Sequence, residues 1–450
     1  MRTAAGQHGV LDPLRLIGLV AIILPVTAAQ IPLSLYLPAL YASQYGMPLA
    51  TVGMVFLAAR LWDAVSDPLI GLLSDRTRTR YGRRRPWIAA GSLIFGLATC
   101  FLFFPPFTVG SAYLLATLFV FYLGWTMIQI PLYAWMGELS GAYHQRTRIV
   151  AYSAAVQAAS LLLILVLPTI ADWVMADADS IKLNLMGGFL LLSLMVTTIC
   201  TLNAVAEPEL PARTTQNRLD LRTSLRGVFG DPLLLRVLAS DFLVTLGQYI
   251  RGALYLFFVT IYVGLPLWGS TLFLVQAAFG ILAGPIWLKI GYRLGKHRAV
   301  IAGELCQVAI NLGLLFIARG DLALLVTLTM MQGLAQGAGN LMLRAIVADV
   351  ADDQRLRTGV DRAGLLFSVF SLSGKAAMAV AIGVTLPLLA WLGFDPKGAN
   401  SDDALLSLKL LFALGPALAH LMSAWLVYGF PLDERRHREI RAALDDLGRR

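Results

Sequence analysis

Apolar residues gather into twelve long runs, at 14–41, 48–74, 87–106, 110–138, 148–172, 183–205, 233–263, 267–288, 299–318, 322–348, 362–392 and 404–430. A helix that crosses the hydrocarbon of a bilayer needs about 20 mostly apolar residues. Backbone polar groups in lipid must be satisfied within the segment, so runs of this length are helices. The pattern predicts an all-α membrane protein with twelve transmembrane helices. The longest polar stretch, 206–232, carries Pro208, Pro211 and scattered arginines and divides six runs from six. The expected organisation is an N-terminal six-helix bundle over 1–205, a cytoplasmic linker over 206–232, a C-terminal six-helix bundle over 233–430 and a cytoplasmic tail over 431–450. The charges of the tail recur at helical spacing, which predicts a solvated helix. The first run, preceded by Arg2 and Arg15, is too long for the core of a signal peptide and is expected to be retained.

Composition sharpens this picture. Hydrophobic residues make up 58% of the chain and charged residues 14%, against about 25% charged in a soluble domain. A soluble enzyme, a secreted disulfide scaffold and a nucleic-acid-binding protein are excluded. The basic balance, with 36 Lys and Arg against 27 Asp and Glu, has another cause. Arg76, Arg78, Arg80, Arg83, Arg84 and Arg85 fill the loop after the second run. Arg146, Arg148, Arg213, Arg218, Arg222, Arg226, Lys289, Arg293, Lys296, Arg298, Arg355, Arg357 and Arg362 fill the other loops on that side. The alternate loops hold only Lys182, Arg319 and Lys397. The positive-inside rule puts both termini in the cytoplasm of a multi-pass protein of the cell (inner) membrane. Cys100, Cys200 and Cys306 lie far apart inside apolar runs and are expected to be buried structural thiols.

A repeat lies beneath the charge pattern. Shifted by 213 residues, Gly71, Arg76, Arg80, Gly82, Arg83, Arg84 and Arg85 fall opposite Gly284, Lys289, Arg293, Gly295, Lys296, His297 and Arg298. Both copies join the second and third runs of their half. Parallel repeats of six spans are the signature of a secondary transporter, with its site at the midplane. The same shift sets Asp63 opposite Gln276 and Asp67 opposite Gly280. An acidic pair present in one half only is chemistry added to a symmetric frame.

Asp63 and Asp67 lie four residues apart, on one face of the second helix, with Arg60 one turn earlier. A charged side chain in mid-bilayer costs about 3 kcal/mol or more, so such residues point to function. Two adjacent carboxylates repel until a cation or a proton neutralises one. Alternatively, Arg60 pairs with Asp63 merely to stiffen the bundle. The fourth helix carries Tyr122, Thr126, Gln129 and Tyr133 on one face, with Glu138 at its end. These polar groups can line a cavity or tie helices together. Gln248, Tyr249 and Arg251 lie near the centre of the seventh helix and Lys375 near that of the eleventh. Arg251 and Lys375 point either to ion pairs with the acidic residues or to an anionic ligand. Asp241 and Glu304 sit nearer the cytoplasmic ends and read as gate or packing pairs. Asp75 with Arg83, Arg84 and Arg85, and Glu138 with Arg146, read as a cytoplasmic gate of ion pairs, joined by Arg60.

The run Arg60-Leu-Trp62-Asp63-Ala-Val-Ser66-Asp67-Pro68, the segments Ser74-Asp75-Arg76 and Gly82-Arg83-Arg84-Arg85-Pro86-Trp87, and Ala348-Asp349, Thr358-Gly359 and Lys375 resemble the glycoside–pentoside–hexuronide:cation symporters. This is the melibiose-permease branch of the major facilitator superfamily, and the resemblance spans all twelve runs. It implies two six-helix bundles related by a pseudo-two-fold axis along the membrane normal and working by alternating access. Asp63 and Asp67 match the family's cation-site carboxylates, which would also ligate Na⁺. Thr126 matches a ligand from the fourth helix, and Ser66 of the same motif joins this set. Lys375 matches a lysine near the coupling site. The sugar-gripping acids correspond to Thr27 and Gln129 and the stacking tryptophan to Tyr133, while the family's arginine on the fifth helix falls near Ser153 or Ala154 and is absent.

The resemblance therefore implies a symporter coupled to Na⁺ or H⁺, with no other cofactor. Its partners are a small-molecule substrate, a monovalent cation or proton and the lipid bilayer, with no nucleic acid, and it acts as a monomer. Replacement of the galactoside-reading acids, together with Arg251 and Lys375, tilts the substrate from a neutral sugar towards an anionic glycoside or uronide. Two readings compete. One is a lysolipid or amphiphile carrier of the same family. The other is an intramembrane prenyltransferase, which needs a second acidic motif where Gln276 and Gly280 stand.

Overall fold

The computed structural model describes residues 12–106, 109–139, 143–174, 178–207, 230–360 and 362–449. Twelve helices are long and apolar enough to cross a membrane: α1 (Ile23–Ser43), α2 (Leu49–Arg76), α3 (Arg85–Phe103), α4 (Ser111–Leu139), α5 (Thr147–Val174), α6 (Ile181–Ala204), α7 (Pro232–Tyr262), α8 (Pro266–Leu294), α9 (Lys296–Phe316), α10 (Leu322–Thr358), α11 (Ala363–Trp391) and α12 (Asp402–Val427). A short helix, Pro13–Val20, leads into α1, and α13 (Glu434–Arg449) follows α12. Each of the twelve runs holds one span. The last ten residues of α10 lie beyond its apolar run, because a helix continues into water where charged residues replace apolar ones.

The helix ends follow local chemistry. The Asp231 carboxylate accepts from the N–H groups of Leu233 and Leu234, ahead of Pro232 at the first turn of α7. Ser401 Oγ accepts from the Ala404 N–H at 3.2 Å to start α12. Gly82 and Gly295, paired by the 213-residue shift, both take a positive φ, 107° and 84°, just before α3 and α9. Only glycine adopts that backbone freely, so the repeat is a repeated turn and not a coincidence of charge.

The chain divides into two compact units. The first comprises Met1–Leu37 and Leu61–Thr214, the second Pro38–Arg60 and Thr215–Arg450. In the first unit α3 and α4 approach closely, since a Cβ on Gly124 would stand 2.5 Å from the Phe95 backbone nitrogen and one on Gly91 2.7 Å from the Met127 Cβ. Small residues at such crossings replace the hydrophobic drive that lipid removes. In the second unit the start of α2 packs on α11, with Leu57 over Gly383 and Gly53 under Pro387. The end of this unit that carries α13 is an apolar cluster of Leu234, Val237, Leu343, Val347, Leu366 and Val427, completed by Ile440 of α13. The tail is thus a helix, as expected, but one docked through Ile440 and Leu444 with Arg435 and Arg438 outside, not one solvated all round.

Two further departures concern detail. Cys100, Cys200 and Cys306 are exposed. They share outward faces with Leu93, Leu192 and Leu305, where a small soft thiol suits lipid as well as a core. The spans are also not uniform helices. α1 contains a π-helical turn over Pro32–Tyr36, α7 ends in one over Phe258–Tyr262, and α10 breaks at Gln336 and Gly337, where Gly337 has φ 134°. The linker expected over 206–232 lies outside the described residues from 208 to 229.

Candidate cation and substrate site

The first unit builds a carboxylate cluster from α2 and α4. Trp62 fixes the two helices: its indole N–H donates to the Phe119 carbonyl at 3.1 Å, and its ring stacks on Phe119 with centroids 5.4 Å apart. About one turn further along α2 and two along α4, Thr126 Oγ1 donates to Asp67 Oδ1 at 3.0 Å and lies 3.3 Å from Asp63 Oδ1. Ser66 Oγ sits 3.3 Å from the Thr126 hydroxyl and donates to the Asp63 carbonyl at 3.1 Å. Asp63, Ser66 and Thr126 are buried and Asp67 half-buried. Four oxygen-bearing side chains therefore converge where the sequence placed a cation site. Two carboxylates this close repel each other while both are ionised. Hard oxygen donors of this kind suit Na⁺ as well as H⁺.

Residues of α4 continue from this cluster. Gln129 Oε1 accepts from the Trp125 indole at 3.2 Å, and Tyr133 is 43% exposed. Thr27 is half-buried on α1. In the second unit Gln248 Oε1 accepts from the Asn340 amide at 3.3 Å, and Lys375 is half-buried on α11. Arg60, also of this unit, is buried and acts electrostatically on Tyr249 of α7. It lies fifteen residues before Asp75 on α2, roughly 22 Å along a helix, so it is not among the charges clustered at the end of that helix.

Arg251 is 4% exposed, and its Nη1 donates to Asn311 Oδ1 of α9 at 3.0 Å. Its guanidinium lies 5.2 Å from the centre of the Phe412 ring of α12. The side chain thus turns towards the interior of the second unit, over a ring face that attracts its charge, while its Nε and Nη2 have no hydrogen-bond partner among the described residues. Sequence gave its depth in the membrane but not the face from which it projects.

At the end of the first unit where α2 meets α3, most of the expected gate residues come together. Arg84, 4% exposed, pairs with Asp75 at 2.6 Å and Glu138 at 2.9 Å, and donates to Ser74 Oγ at 2.8 Å. Burial alone would lower the Arg84 pKa, but the hydrogen bonds and charges of Glu138 and Asp75 outweigh it and raise it. Arg83 pairs with Glu138 and Arg85 donates to the Leu202 carbonyl. Arg146 lies on the helical turn that leads into α5, its side chain outside the described residues. Sequence reading missed Glu207, whose carboxylate accepts from the backbone N–H groups of Arg83, Arg84 and Arg85 at 2.5, 2.9 and 2.6 Å. The only signal was an acid directly after the sixth run, at a point assigned to linker. The second unit repeats the theme: Lys296, opposite Arg83 in the repeat, pairs with Asp349 at 2.6 Å near the end of α10. A cavity of about 440 Å³ beside this pair is lined by Tyr292, His297, Asp433 and His437, far along the chain from the carboxylate cluster.

The family described as "MFS/sugar transport protein" matches residues 18–434. The chain belongs to this family. The membership is that of the glycoside–pentoside–hexuronide:cation symporters which the Arg60–Pro68 motif resembles, and it makes the chain a multi-pass membrane transporter and not an enzyme. The prenyltransferase reading falls with it. The inner membrane symporter YicJ of Escherichia coli (strain K12) is 27% identical over 87% of this chain and 85% of its own length. The glucuronide carrier protein homolog of the same organism is 23% identical over 92% and 91%. Among solved structures, the nucleoside transporter NupG matches 93% of this chain and 100% of its own, with a TM-score of 0.66 at 10% identity, which shows the major facilitator fold alone.

Proposed function

We propose that the protein is a cation-coupled symporter that carries a glycoside, preferably an acidic one such as a uronide, across the cell (inner) membrane by alternating access. The observation that carries the reading is the buried cluster of Asp63, Ser66, Asp67 and Thr126. Its two carboxylates share one hydroxyl, and a bound Na⁺ or H⁺ relieves their repulsion. Coupling then follows from linkage: a cation that binds one state of the carrier better raises substrate affinity in that state, typically by 1–3 kcal/mol of coupling. The arginine-rich loops argue for both termini on the cytoplasmic side.

The acidic substrate rests on what α1 and α4 present, and on a relative. In the first unit Thr27 and Gln129 stand where acids would repel an anion; in the second, Lys375 is the cation on which the preference is tested. A glucuronide carrier homolog is among the relatives. The test is competition of uptake by matched glucuronide and glucoside, with thermal shift of the purified protein by both compounds and by a lysolipid, each with and without Na⁺. We expect preference for the glucuronide, lost in Lys375→Gln and kept in Arg251→Gln. Preference for the glucoside rejects the acidic substrate, and a shift by the lysolipid alone rejects the sugar.

A further inference from the structure

Within the second unit lies a set of ionisable groups that the carboxylate cluster of α2 and α4 does not use. Glu304 of α9 is 2% exposed and His420 of α12 is 1% exposed, and Glu304 Oε2 lies 2.5 Å from His420 Nδ1. Asp241 of α7 is buried at 5%. The three helices pack on one another, α7 on α12 and α9 on α12. The charges acting on Asp241 are Arg344 of α10 and Glu304. On α11 the nearest group is Gly374, where a Cβ would lie 3.7 Å from the Asp241 carboxylate, and Lys375 follows it in the chain. On α10, Gly339 lies directly against Glu304 Oε1, so that carboxylate is held by backbone on one side and imidazole on the other. His420 is pressed against Gly247 of α7, with Nε2 3.1 Å from where a Cβ would stand. The other charged residues of α8 and α10, among them Lys289, Arg293 and Asp349, lie near the cytoplasmic ends.

We infer that Asp241, Glu304 and His420 form a site inside the C-terminal bundle that binds one proton, separate from the Asp63–Asp67 cation site. The argument is charge balance at membrane depth. With His420 neutral and both acids ionised, Arg344, an exposed residue, is the cation that acts on Asp241 against two buried carboxylates, whereas Arg251 of α7 turns to Asn311 and the Phe412 ring and is not among the charges acting on Asp241. A net charge there is costly, and facing carboxylates do not both stay ionised. One proton makes the set neutral, whether it sits on His420, on Glu304 or on Asp241. The proton therefore belongs to the set and not to one residue. Binding takes a proton from water and releases it to water, with no other chemistry. Gly339 and Gly247 deny the acid and the imidazole room to move apart, which keeps the proton shared.

The inference rests on the symporter reading only for its consequence, which is that uptake changes with pH even when Na⁺ is held constant. The proton itself is measured on the purified full-length chain. The experiment is acid-minus-alkaline infrared difference spectroscopy of the wild type, D63N/D67N, D241N, E304Q and H420N. We expect a buried protonated-carboxyl signal that persists in D63N/D67N, is lost in E304Q or D241N, and moves to another pH midpoint in H420N. A signal missing from the wild type, or one that survives both E304Q and D241N, overturns the inference. Should those variants not fold, nitrogen NMR of histidine-labelled protein carrying H8N, H144N, H297N and H437N, in which His420 is the one histidine left of five, decides: its signal must respond to pH outside the range of free imidazole. A His420 signal that follows free imidazole refutes the site. In proteoliposomes E304Q flattens the pH profile of counterflow, whereas a failure of the symporter reading itself would appear as wild-type protein unable to accumulate substrate at any pH.

Discussion

Thr126 offers the sharpest perturbation of the cation site. Its hydroxyl is fully buried and lies 3.0 Å from Asp67 and 3.3 Å from Asp63, with Ser66 at 3.3 Å. Thr126→Val keeps the shape and removes the oxygen, so both carboxylates lose their shared donor and a bound cation loses a ligand. A hydrogen bond to a charged group contributes about 1.5–3 kcal/mol. Since 1.4 kcal/mol is about tenfold in an equilibrium constant, the half-activating cation concentration should rise roughly 10- to 100-fold. Thr126→Ser keeps the oxygen and loses a methyl, so it should remain within about threefold of wild type on the same scale. The assay is the initial rate of substrate uptake in proteoliposomes, against Na⁺ at fixed pH and against pH without Na⁺. Equal cation dependence in wild type and Thr126→Val would refute the reasoning, because no ligand could then depend on that oxygen.

Two further outcomes follow from the ends of the helices. Arg84→Ala leaves Asp75 and Glu138 facing each other without their shared cation; breaking a buried pair costs about 3–5 kcal/mol, although the half-exposed Asp75 side adds only about 0.2–1. Thiol-reagent labelling of a cysteine placed in the Arg76–Arg80 loop should accelerate from the cytoplasmic side, and an unchanged rate would mean that the cluster does not hold that end closed. Asp231 lies outside the membrane spans; burial alone would raise its pKa, but hydrogen bonds from Gln354, Arg357 and the Leu234 N–H prevail and leave it below 3.8. Its contribution to stability is therefore present above about pH 4 and is lost as pH falls through the lowered folded value. Asp231→Asn, which keeps the helix cap, should unfold more readily than wild type at pH 7 by about 1–2 kcal/mol, with the difference shrinking as pH falls below about 4 and gone only below the lowered folded value; a constant difference would reject the charged pairing.

The apolar runs and the arginine loops made the spans legible, because lipid leaves the backbone no alternative to a helix and the membrane sorts positive charge. The acid pair was legible because two carboxylates four residues apart must share a face. What escaped depends on rotation and on irregular backbone. Arg251 occupies the centre of α7, and an unbroken apolar pattern around it does not reveal which neighbour its side chain meets; Asn311 and Phe412 are sixty and more residues away. His420 sits alone in the apolar α12, and its partner Glu304 becomes evident only when α9 and α12 are packed. The π-helical turns and the break at Gln336–Gly337 fall within continuous apolar runs, where hydropathy is blind to hydrogen-bond register. Glu207 was hidden by its place, as the first polar residue after a span reads as solvent until the turn it caps is seen.

The central claim is that Asp67, with Asp63, holds the cation that drives uptake. Its most direct test compares wild type with Asp67→Asn in proteoliposomes, measuring accumulation of the glucuronide under an imposed Na⁺ or H⁺ gradient and counterflow without one. The account predicts accumulation above equilibrium in wild type and none in Asp67→Asn, with counterflow retained. Accumulation by Asp67→Asn at the wild-type level, under the same gradient, would contradict it.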